Sequence, residues 1–152
     1  MKTIDTKNYK MFINGEVVET NQKLPVINPA TEEVFAYVPN TTKEILDTAV
    51  NAAKQALPNW KAISIEKRSE IIRDFAKGLV ERKKELVQTL TLEQGKPLSF
   101  AKGEIELAIQ WCNETTKLTL NSTVVEDTPD SIVEQSYMPL GVVAAIVPWN
   151  FP

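Results

Sequence analysis

The strongest constraint on the fold is an uncharged apolar segment close to the end of the chain. After Gly141, residues 142–147 are all valine, alanine or isoleucine. A short run of this kind, with glycine in front and proline behind, is typical of a strand buried on both faces of a parallel sheet. Pro148 ends the strand because proline has no N–H for the sheet ladder. Trp149 and Asn150 are therefore predicted in a loop at the carboxyl end of that strand, where open α/β sheets bind their ligands.

Upstream of this strand, turn signals predict two small antiparallel hairpins. Asn14-Gly15 separates two short strands between residues 9 and 19, and Asn28-Pro29 lies between apolar runs at 24–27 and 33–38. The spacing of apolar residues then changes to a helical period. The predicted helices run from Thr41 or Thr42 to Pro58, from Ser64 to about Gln94 with a break near Arg82, and over Leu98–Leu120. Phe75 belongs to the predicted buried stripe of the second helix, and two exposed strands are expected at 124–126 and 132–137.

Composition and charge exclude several classes of protein. The 152 residues carry a net charge of −3, and basic and acidic residues are mixed along the helices, so no nucleic-acid-binding face is expected. The apolar run at 142–147 is far too short to span a membrane, and the first residues lack the apolar core of a secretory signal. The single cysteine, Cys112, excludes an internal disulfide framework. These features favour a cytoplasmic protein.

Three motifs in order along the chain carry a family resemblance. The three motifs are Phe12-Ile13-Asn14-Gly15, Glu93-Gln94-Gly95-Lys96-Pro97 and the final segment Pro-Leu-Gly-Val-Val-Ala-Ala-Ile-Val-Pro-Trp-Asn-Phe-Pro at 139–152. A fourth, shorter segment, Asn28-Pro29-Ala30-Thr31, supports the same resemblance. The set resembles the first third of an NAD(P)-dependent aldehyde dehydrogenase. The resemblance implies an α/β fold that forms the N-terminal part of a Rossmann-like nucleotide-binding domain. It also implies that the sequence is a truncated piece of the enzyme, inactive alone.

The resemblance divides the chain into four parts. Residues 1–8 would be a disordered tail, and residues 9–120 the N-terminal part of the coenzyme-binding domain, with hairpins followed by helices. Residues 121–140 would be the strands of an oligomerisation arm that crosses to a neighbouring subunit. Residues 141–152 would be the first parallel strand and the start of the active-site loop.

The same resemblance assigns the chemistry of the final loop. In the family, a cysteine attacks the aldehyde to form a thiohemiacetal, hydride passes to NAD or NADP, and a glutamate-activated water releases the acid. Asn150 would be the catalytic residue that stabilises the oxyanion, because a neutral side-chain amide can donate a hydrogen bond to the charged oxygen. Val147, Pro148 and Trp149, with Asn150, would line the nicotinamide end of the cofactor site. The family's nucleophile and base lie in later segments.

Two other residues could be mistaken for catalytic groups. Cys112 lies on the predicted apolar stripe of the third helix, so it is interpreted as a core cysteine rather than the nucleophile. Glu93 is interpreted as a carboxylate at a helix C-terminus that pairs with Lys or Arg rather than as a base. In some family members an acid at this position lies beside a structural cation, which would here be near the Ile27 carbonyl. No metal ligand is assigned from the sequence.

Other functions stay open at this point. A fragment that keeps the strand at 132–137 could act as an interaction protein that pairs with full-length subunits, since an exposed strand edge is a ready pairing surface. The complete protein is expected to be a homo-oligomer, a dimer or tetramer, through this arm. Another alternative is the CoA-acylating branch of the same superfamily. A stand-alone nucleotide-binding module is disfavoured because one parallel strand would have no parallel neighbour.

Overall fold

The computed structural model describes residues 7–152, and within them short strands precede four helices and a final hairpin. Strands β1–β5 are followed by helices α1–α4 and strands β6 and β7. Their bounds are β1 Lys7–Asn8, β2 Met11–Ile13, β3 Glu16–Val18, β4 Lys23–Ile27, β5 Val34–Pro39, α1 Lys43–Ala62, α2 Ile65–Glu81, α3 Lys83–Gln94, α4 Leu98–Thr115, β6 Thr123–Asp127 and β7 Ile132–Gln135. The mixed α/β character predicted from the sequence is confirmed.

Three small sheets use these strands. In the largest, the order is β1-β5-β4, with β4 antiparallel and β1 parallel to β5. Strands β2 and β3 form the predicted first hairpin, and Asn14 and Gly15 at its turn have φ values of 54° and 78°. Two consecutive positive φ angles are the geometry of a type I′ turn, for which Asn-Gly is the preferred sequence. Strands β6 and β7 confirm the two exposed strands predicted after the helices, and they pair as an antiparallel hairpin.

Side-chain caps explain where α1 and α2 begin. The Thr42 hydroxyl accepts a hydrogen bond from the backbone N–H of Ile45, and the Ser64 hydroxyl accepts one from Lys67. These bonds satisfy N–H groups that have no partner inside a helix. The predicted break near Arg82 is confirmed, because Arg82 separates α2 from α3.

Several boundaries differ from the sequence prediction. Helix α1 continues past Pro58 to Ala62. Lys54 and Pro58 are both exposed, so water can bind the carbonyl that lacks a partner when proline removes an N–H. Helix α4 ends at Thr115 rather than at Leu120. Of the predicted tail at 1–8, Lys7 and Asn8 form β1, and the remainder lies outside the described residues.

The predicted parallel strand at 141–147 is not formed. This segment has no strand hydrogen bonding, and Ile146 is 93% exposed. A parallel strand forms only when at least one neighbouring strand supplies hydrogen bonds along an edge, and the sheets of residues 7–152 do not extend to this segment. The expectation of burial on both faces was therefore wrong for this structure. Phe75, predicted in a buried stripe, is 62% exposed, since no element of the described structure covers that side of α2.

The buried core is small and the surface is large. The only buried apolar residues in the described part are Phe35, Ala36, Ala76, Leu90 and Ala101, on β5, α2, α3 and α4. The chain exposes 12154 Å². A compact protein of its mass, 17.0 kDa, would expose about 7,700 Å². The excess consists largely of exposed apolar side chains, which is the character of a surface that packs against further protein. Among residues 7–152, no helix is long and apolar enough to cross a membrane.

Candidate functional site

The loop that follows the apolar segment is a tight turn, and side chains from another part of the fold hold it in place. The Phe151 N–H donates to the Pro148 carbonyl at 3.3 Å, which closes the turn around Trp149 and Asn150. The Gln94 side-chain amide donates to the Trp149 carbonyl at 2.7 Å, and the Lys96 Nζ donates to the Asn150 carbonyl at 3.0 Å. Gln94 is the last residue of α3 and Lys96 lies in the connector between α3 and α4, so the end of α3 and this connector fix where the loop lies.

Lys96 is a largely enclosed charged group at this site. Its ammonium forms an ion pair with the Glu104 carboxylate on α4, and the two side chains are only 17% and 14% exposed. Its Nζ also lies 5.1 Å from the centroid of the Phe151 ring. An ammonium group has three N–H donors, and the carboxylate, the Asn150 carbonyl and the aromatic face together account for its surroundings. Each partner compensates the charge of the other in a poorly hydrated position.

The connector is directed to the loop by Gly95. This residue has φ of +73°, and its N–H donates to the Thr91 carbonyl at 2.8 Å, which ends α3 in the left-handed form favoured by glycine. A β-carbon at this position would lie 2.7 Å from Cγ of Pro29. The turn at Asn28-Pro29 is itself rigid, because the buried Asn28 side chain accepts from the Ala30 N–H at 3.0 Å. The turn between β4 and β5 thus packs directly against Gly95, the residue that points Lys96 towards the loop.

Asn150 is held in position through its backbone and not through its side chain. Within residues 7–152 its amide group makes no hydrogen bond, whereas its backbone carbonyl is held by Lys96. Trp149 beside it is 89% exposed, and Val147 and Pro148 are also exposed. A neutral amide that is free of protein partners can donate to a ligand oxygen. The loop therefore brings the four predicted site residues into one exposed segment.

An open cavity of about 690 Å³ adjoins the loop. Phe151 forms one side of it, and the start of α4 forms the other. Its lining residues are Lys96, Pro97, Ser99, Phe100, Gly103, Glu104, Leu107 and Phe151. The lining is mostly apolar apart from the Lys96–Glu104 pair, so it is suited to cover by apolar protein or by an apolar part of a ligand.

The two residues that could be mistaken for catalytic groups do not line the cavity beside Phe151. Cys112 is a half-buried free thiol on α4 and is not among the residues that line the cavity beside Asn150. Glu93 is exposed and forms no ion pair within the described range, so its predicted pairing with Lys or Arg was wrong. Glu93 and Val26 do line one small cavity of about 190 Å³. No group of three or more potential metal-binding side chains occurs in the part of the chain that the structure describes.

Two carboxylates with lowered pKa values lie at the starts of helices, and neither lines the cavity beside the loop. At the start of α2, the backbone N–H of Glu66 and then the Ser64 hydroxyl lower the pKa of the Glu66 carboxyl. Glu44, at the start of α1, has its pKa lowered in the same way by its own N–H and by Thr42. Both carboxylates face the positive end of a helix, which favours their charged form.

Sequence reasoning missed Gln94, Lys96 and Glu104 as residues of the site. Gln94 and Lys96 belong to a motif that carried the family resemblance, yet nothing in their local pattern indicates a contact with a loop more than fifty residues later. Glu104 lies one turn into α4, where an acidic residue on an otherwise mixed helix is unremarkable. Only the folded position of α4 beside the connector brings these three side chains together.

Comparison with known proteins assigns the chain to a family. The model of the aldehyde dehydrogenase family matches residues 17–152. A glutarate-semialdehyde dehydrogenase of Pseudomonas putida is 40% identical over 146 residues, which are 93% of this chain and 30% of the relative. The NADP(+)-dependent succinate-semialdehyde dehydrogenase of Escherichia coli is 36% identical across 100% of this chain and 33% of its own length. The chain thus spans about a third of the length of these curated relatives.

Solved structures support the same assignment at the level of the fold. A 3,6-anhydro-L-galactose dehydrogenase has 30% identity and a TM-score of 0.88, covering 95% of this chain and 31% of its own. A betaine aldehyde dehydrogenase of Staphylococcus aureus, solved with NAD+, has 28% identity and a TM-score of 0.88, covering 94% and 30%. The predicted likeness to the N-terminal part of these enzymes is confirmed, and the chain belongs to the aldehyde dehydrogenase family.

Proposed function

We propose that this chain supplies the oxyanion-stabilising loop of an NAD(P)-dependent aldehyde dehydrogenase that oxidises an aldehyde to a carboxylic acid. The observation that carries the proposal is the Pro-Trp-Asn turn. Its backbone carbonyls are bound by Gln94 and Lys96, while the Asn150 amide has no partner in the described structure. Backbone fixation with a free side-chain donor is the arrangement that preorganised charge stabilisation requires.

The proposed reaction begins with attack of a cysteine thiolate on the aldehyde carbon. The carbonyl π electrons move to oxygen, and the Asn150 Nδ2 donates a hydrogen bond to the oxygen that becomes negative. NAD or NADP, when bound, accepts the hydride, and a thioester remains. Water activated by a glutamate then attacks the thioester, releases the acid and regenerates the thiolate. The amide suits its role because it is neutral and has no proton to lose at working pH.

Three further residues would shape the cofactor site. Val147, Pro148 and Trp149 precede Asn150 on the same exposed segment. We propose that they form a wall against the nicotinamide end of the cofactor, with Asn150 at its edge. Apolar contacts there would exclude water from the region in which hydride moves.

The nucleophile and base are proposed to come from protein outside these 152 residues. Cys112 does not line the loop cavity, and the relatives are about three times as long as this chain. The large exposed surface is consistent with packing against that further protein. The purified 152-residue chain is therefore expected to be silent in an NAD-linked aldehyde assay, and turnover by it would contradict this part of the proposal. An intact mass of the native protein would show whether the missing groups are on the same polypeptide.

A semialdehyde is the proposed substrate class. Relatives that share 35–40% identity are named for glutarate, succinate and malonate semialdehydes. The test is a comparison of kcat/KM for short aldehydes with and without a terminal carboxylate, using the intact enzyme. A preference below about twofold for the carboxylate-bearing compounds would contradict the assignment.

The acylating branch is the second candidate for the product. One relative at 37% identity is the acylating methylmalonate- and malonate-semialdehyde dehydrogenase of Mus musculus. In this branch CoA rather than water would attack the thioester. Product analysis with and without CoA separates the two, because acyl-CoA appears only if the thiol competes with water.

The β6–β7 hairpin is proposed as an oligomerisation arm, and the intact protein as a cytoplasmic homo-oligomer. All nine residues of its two strands are exposed, which leaves both edges open for pairing. Val133→Pro removes an N–H from β7 and is expected to reduce the assembly to smaller species in light scattering. As a control, Ser122→Pro changes a residue outside both strands. The alternative, an interaction fragment that pairs with full-length subunits, predicts co-purification of this chain with them.

The catalytic test is Asn150→Ala in the intact enzyme. Loss of one oxyanion donor typically lowers kcat by about 100- to 1,000-fold. The matched control is Asn113→Ala, which removes the same amide from an exposed position on α4. Equal activity of the Asn150 variant and the parent would refute the proposed role.

A further inference from the structure

The two peptide groups that flank Asn150 are held by side chains from the end of α3 and from the short connector that follows it. Gln94 donates to the carbonyl of the peptide that precedes Asn150, and Lys96 donates to the carbonyl of the peptide that follows it. Because each peptide group is planar, fixing both planes leaves the φ and ψ angles of the residue between them little freedom. The direction of the Asn150 side chain is therefore set by residues about 55 positions earlier in the chain.

We infer that Lys96 is a positioning residue for the oxyanion donor, and that Glu104 acts through it. The inference rests on the proposed function of Asn150. Lys96 does not touch the reacting atoms. Its ammonium holds the Asn150 carbonyl, and Glu104 holds the ammonium in place. A charged donor forms a stronger and shorter hydrogen bond to a carbonyl than a neutral donor does.

The enclosure of the pair distinguishes it from the other ion pairs of the chain. Both Lys96 and Glu104 are mostly buried, whereas Lys102 and Glu106, on the same helix α4, are 61% and 50% exposed. An exposed ion pair does little to fix the position of its side chains, because solvent screens the attraction and holding two long side chains in one conformation costs entropy. The enclosed pair can hold the loop in one place, and the Phe151 ring over the Lys96 ammonium closes the remaining side.

The test is a set of variants in the intact enzyme that contains this chain. Lys96→Met removes the ammonium and keeps the apolar stem. We expect kcat to fall by about tenfold, the usual worth of one charge-assisted hydrogen bond, with KM changed less than twofold. In the Asn150→Ala background the same substitution is expected to lower kcat by less than twofold, because its effect passes through the Asn150 amide. Lys102→Met is the matched control on α4 and should leave kcat unchanged.

A purely structural role for Lys96 predicts a different pattern. Equal losses of kcat in the parent and Asn150→Ala backgrounds, or an unchanged kcat with a lowered melting temperature, would overturn the inference. Should Lys96→Met fail to fold, Glu104→Gln makes the same comparison, because it leaves the ammonium but weakens its anchor. About a threefold fall in kcat, again absent in the Asn150→Ala background, is expected for it.

Amide hydrogen exchange gives a readout that does not need activity. Between Pro148 and Pro152 only the N–H groups of residues 149–151 exchange, and the Phe151 N–H is bonded within the turn. Faster exchange of these amides in Lys96→Met, but not in Lys102→Met, supports the anchoring. Unchanged exchange refutes it whatever the kinetics show. If exchange rises while Asn150→Ala retains full kcat, the anchoring stands and the proposed oxyanion role fails, so the two failures are distinguishable.

Discussion

Replacement of Gly95 by alanine tests whether the connector is fixed by its contact with Pro29. Gly95 ends α3 at φ +73°, and a β-carbon there would lie 2.7 Å from Pro29 Cγ. Two costs follow from this geometry. An L-residue in the left-handed region costs about 1–2 kcal/mol. Overpacking against the proline ring adds about 1–3 kcal/mol, since the ring cannot rotate away as a flexible chain end could.

The total can be converted to a melting temperature. Alanine also restricts the unfolded chain, which returns about 0.4–1 kcal/mol. The free energy of unfolding is therefore expected to fall by about 2–4 kcal/mol. For a protein of this size, a change of 1 kcal/mol shifts the melting temperature by about 2–4 °C. Gly95→Ala is expected to melt about 5–15 °C below the parent in thermal unfolding followed by circular dichroism at 222 nm.

Two companion variants separate the two costs. Gly78→Ala is the matched control, because it lies inside α2 with nothing within 4 Å of the new β-carbon. It should raise stability by up to about 1 kcal/mol through helix propensity. Pro29→Ala removes the ring, so Gly95→Ala in that background should lose only the backbone cost. A melting temperature for Gly95→Ala within 2 °C of the parent, or an equal loss in both backgrounds, would refute the steric argument.

Three other predictions concern a turn, a thiol and a helix terminus. Asn28→Ala should lower the free energy of unfolding by about 1–2 kcal/mol in urea titration, since the buried side chain no longer accepts from the Ala30 N–H; an unchanged midpoint would contradict this. Cys112→Ser should leave kcat of the intact enzyme within about twofold, because the proposed nucleophile lies elsewhere, and a loss of a hundredfold would make Cys112 the nucleophile instead. The Glu66 carboxyl should titrate by NMR below the ordinary glutamate pKa, because its own N–H and Ser64 stabilise the charged form. Since the folded pKa is the lower one, the stability it contributes is present above the unfolded pKa and is lost as pH falls through the folded value. Ser64→Ala should move the titration back towards the ordinary value, and no movement would contradict the assigned cause.

Elements defined by nearby residues could be predicted from the sequence. The Asn14-Gly15 turn, the caps at Thr42 and Ser64 and the left-handed end of α3 at Gly95 all depend on residues within a few positions of each other. In each case the side chain or the missing β-carbon itself creates the backbone geometry. These local patterns produce the same backbone geometry whatever the structure of the rest of the protein.

The errors share a dependence on parts of the molecule that are far away in sequence or outside it. The apolar segment at 142–147 has the composition of a buried parallel strand, but a strand requires hydrogen-bonding neighbours. Phe75 has the spacing of a core residue, but only a covering element could bury it. Pro58 has the local signature of a helix end, yet an exposed position let α1 continue. The sequence pattern predicts the structural environment to which a residue is suited, and its packing partners determine whether the residue occupies that environment.

The candidate site shows the same division within a single loop. Asn150 was identified through the resemblance because its motif is contiguous and chemically distinctive. Lys96 lies in another contiguous motif, yet no feature of either motif indicates that the two residues meet. Their contact requires α3 to end at Gly95, Pro29 to pack beside it, and α4 to present Glu104 to the ammonium. The hydrogen-bond donor that the proposed chemistry needs, Asn150, can thus be identified from the sequence. The groups that orient Asn150 can be identified only once four separate segments have been brought together in the fold.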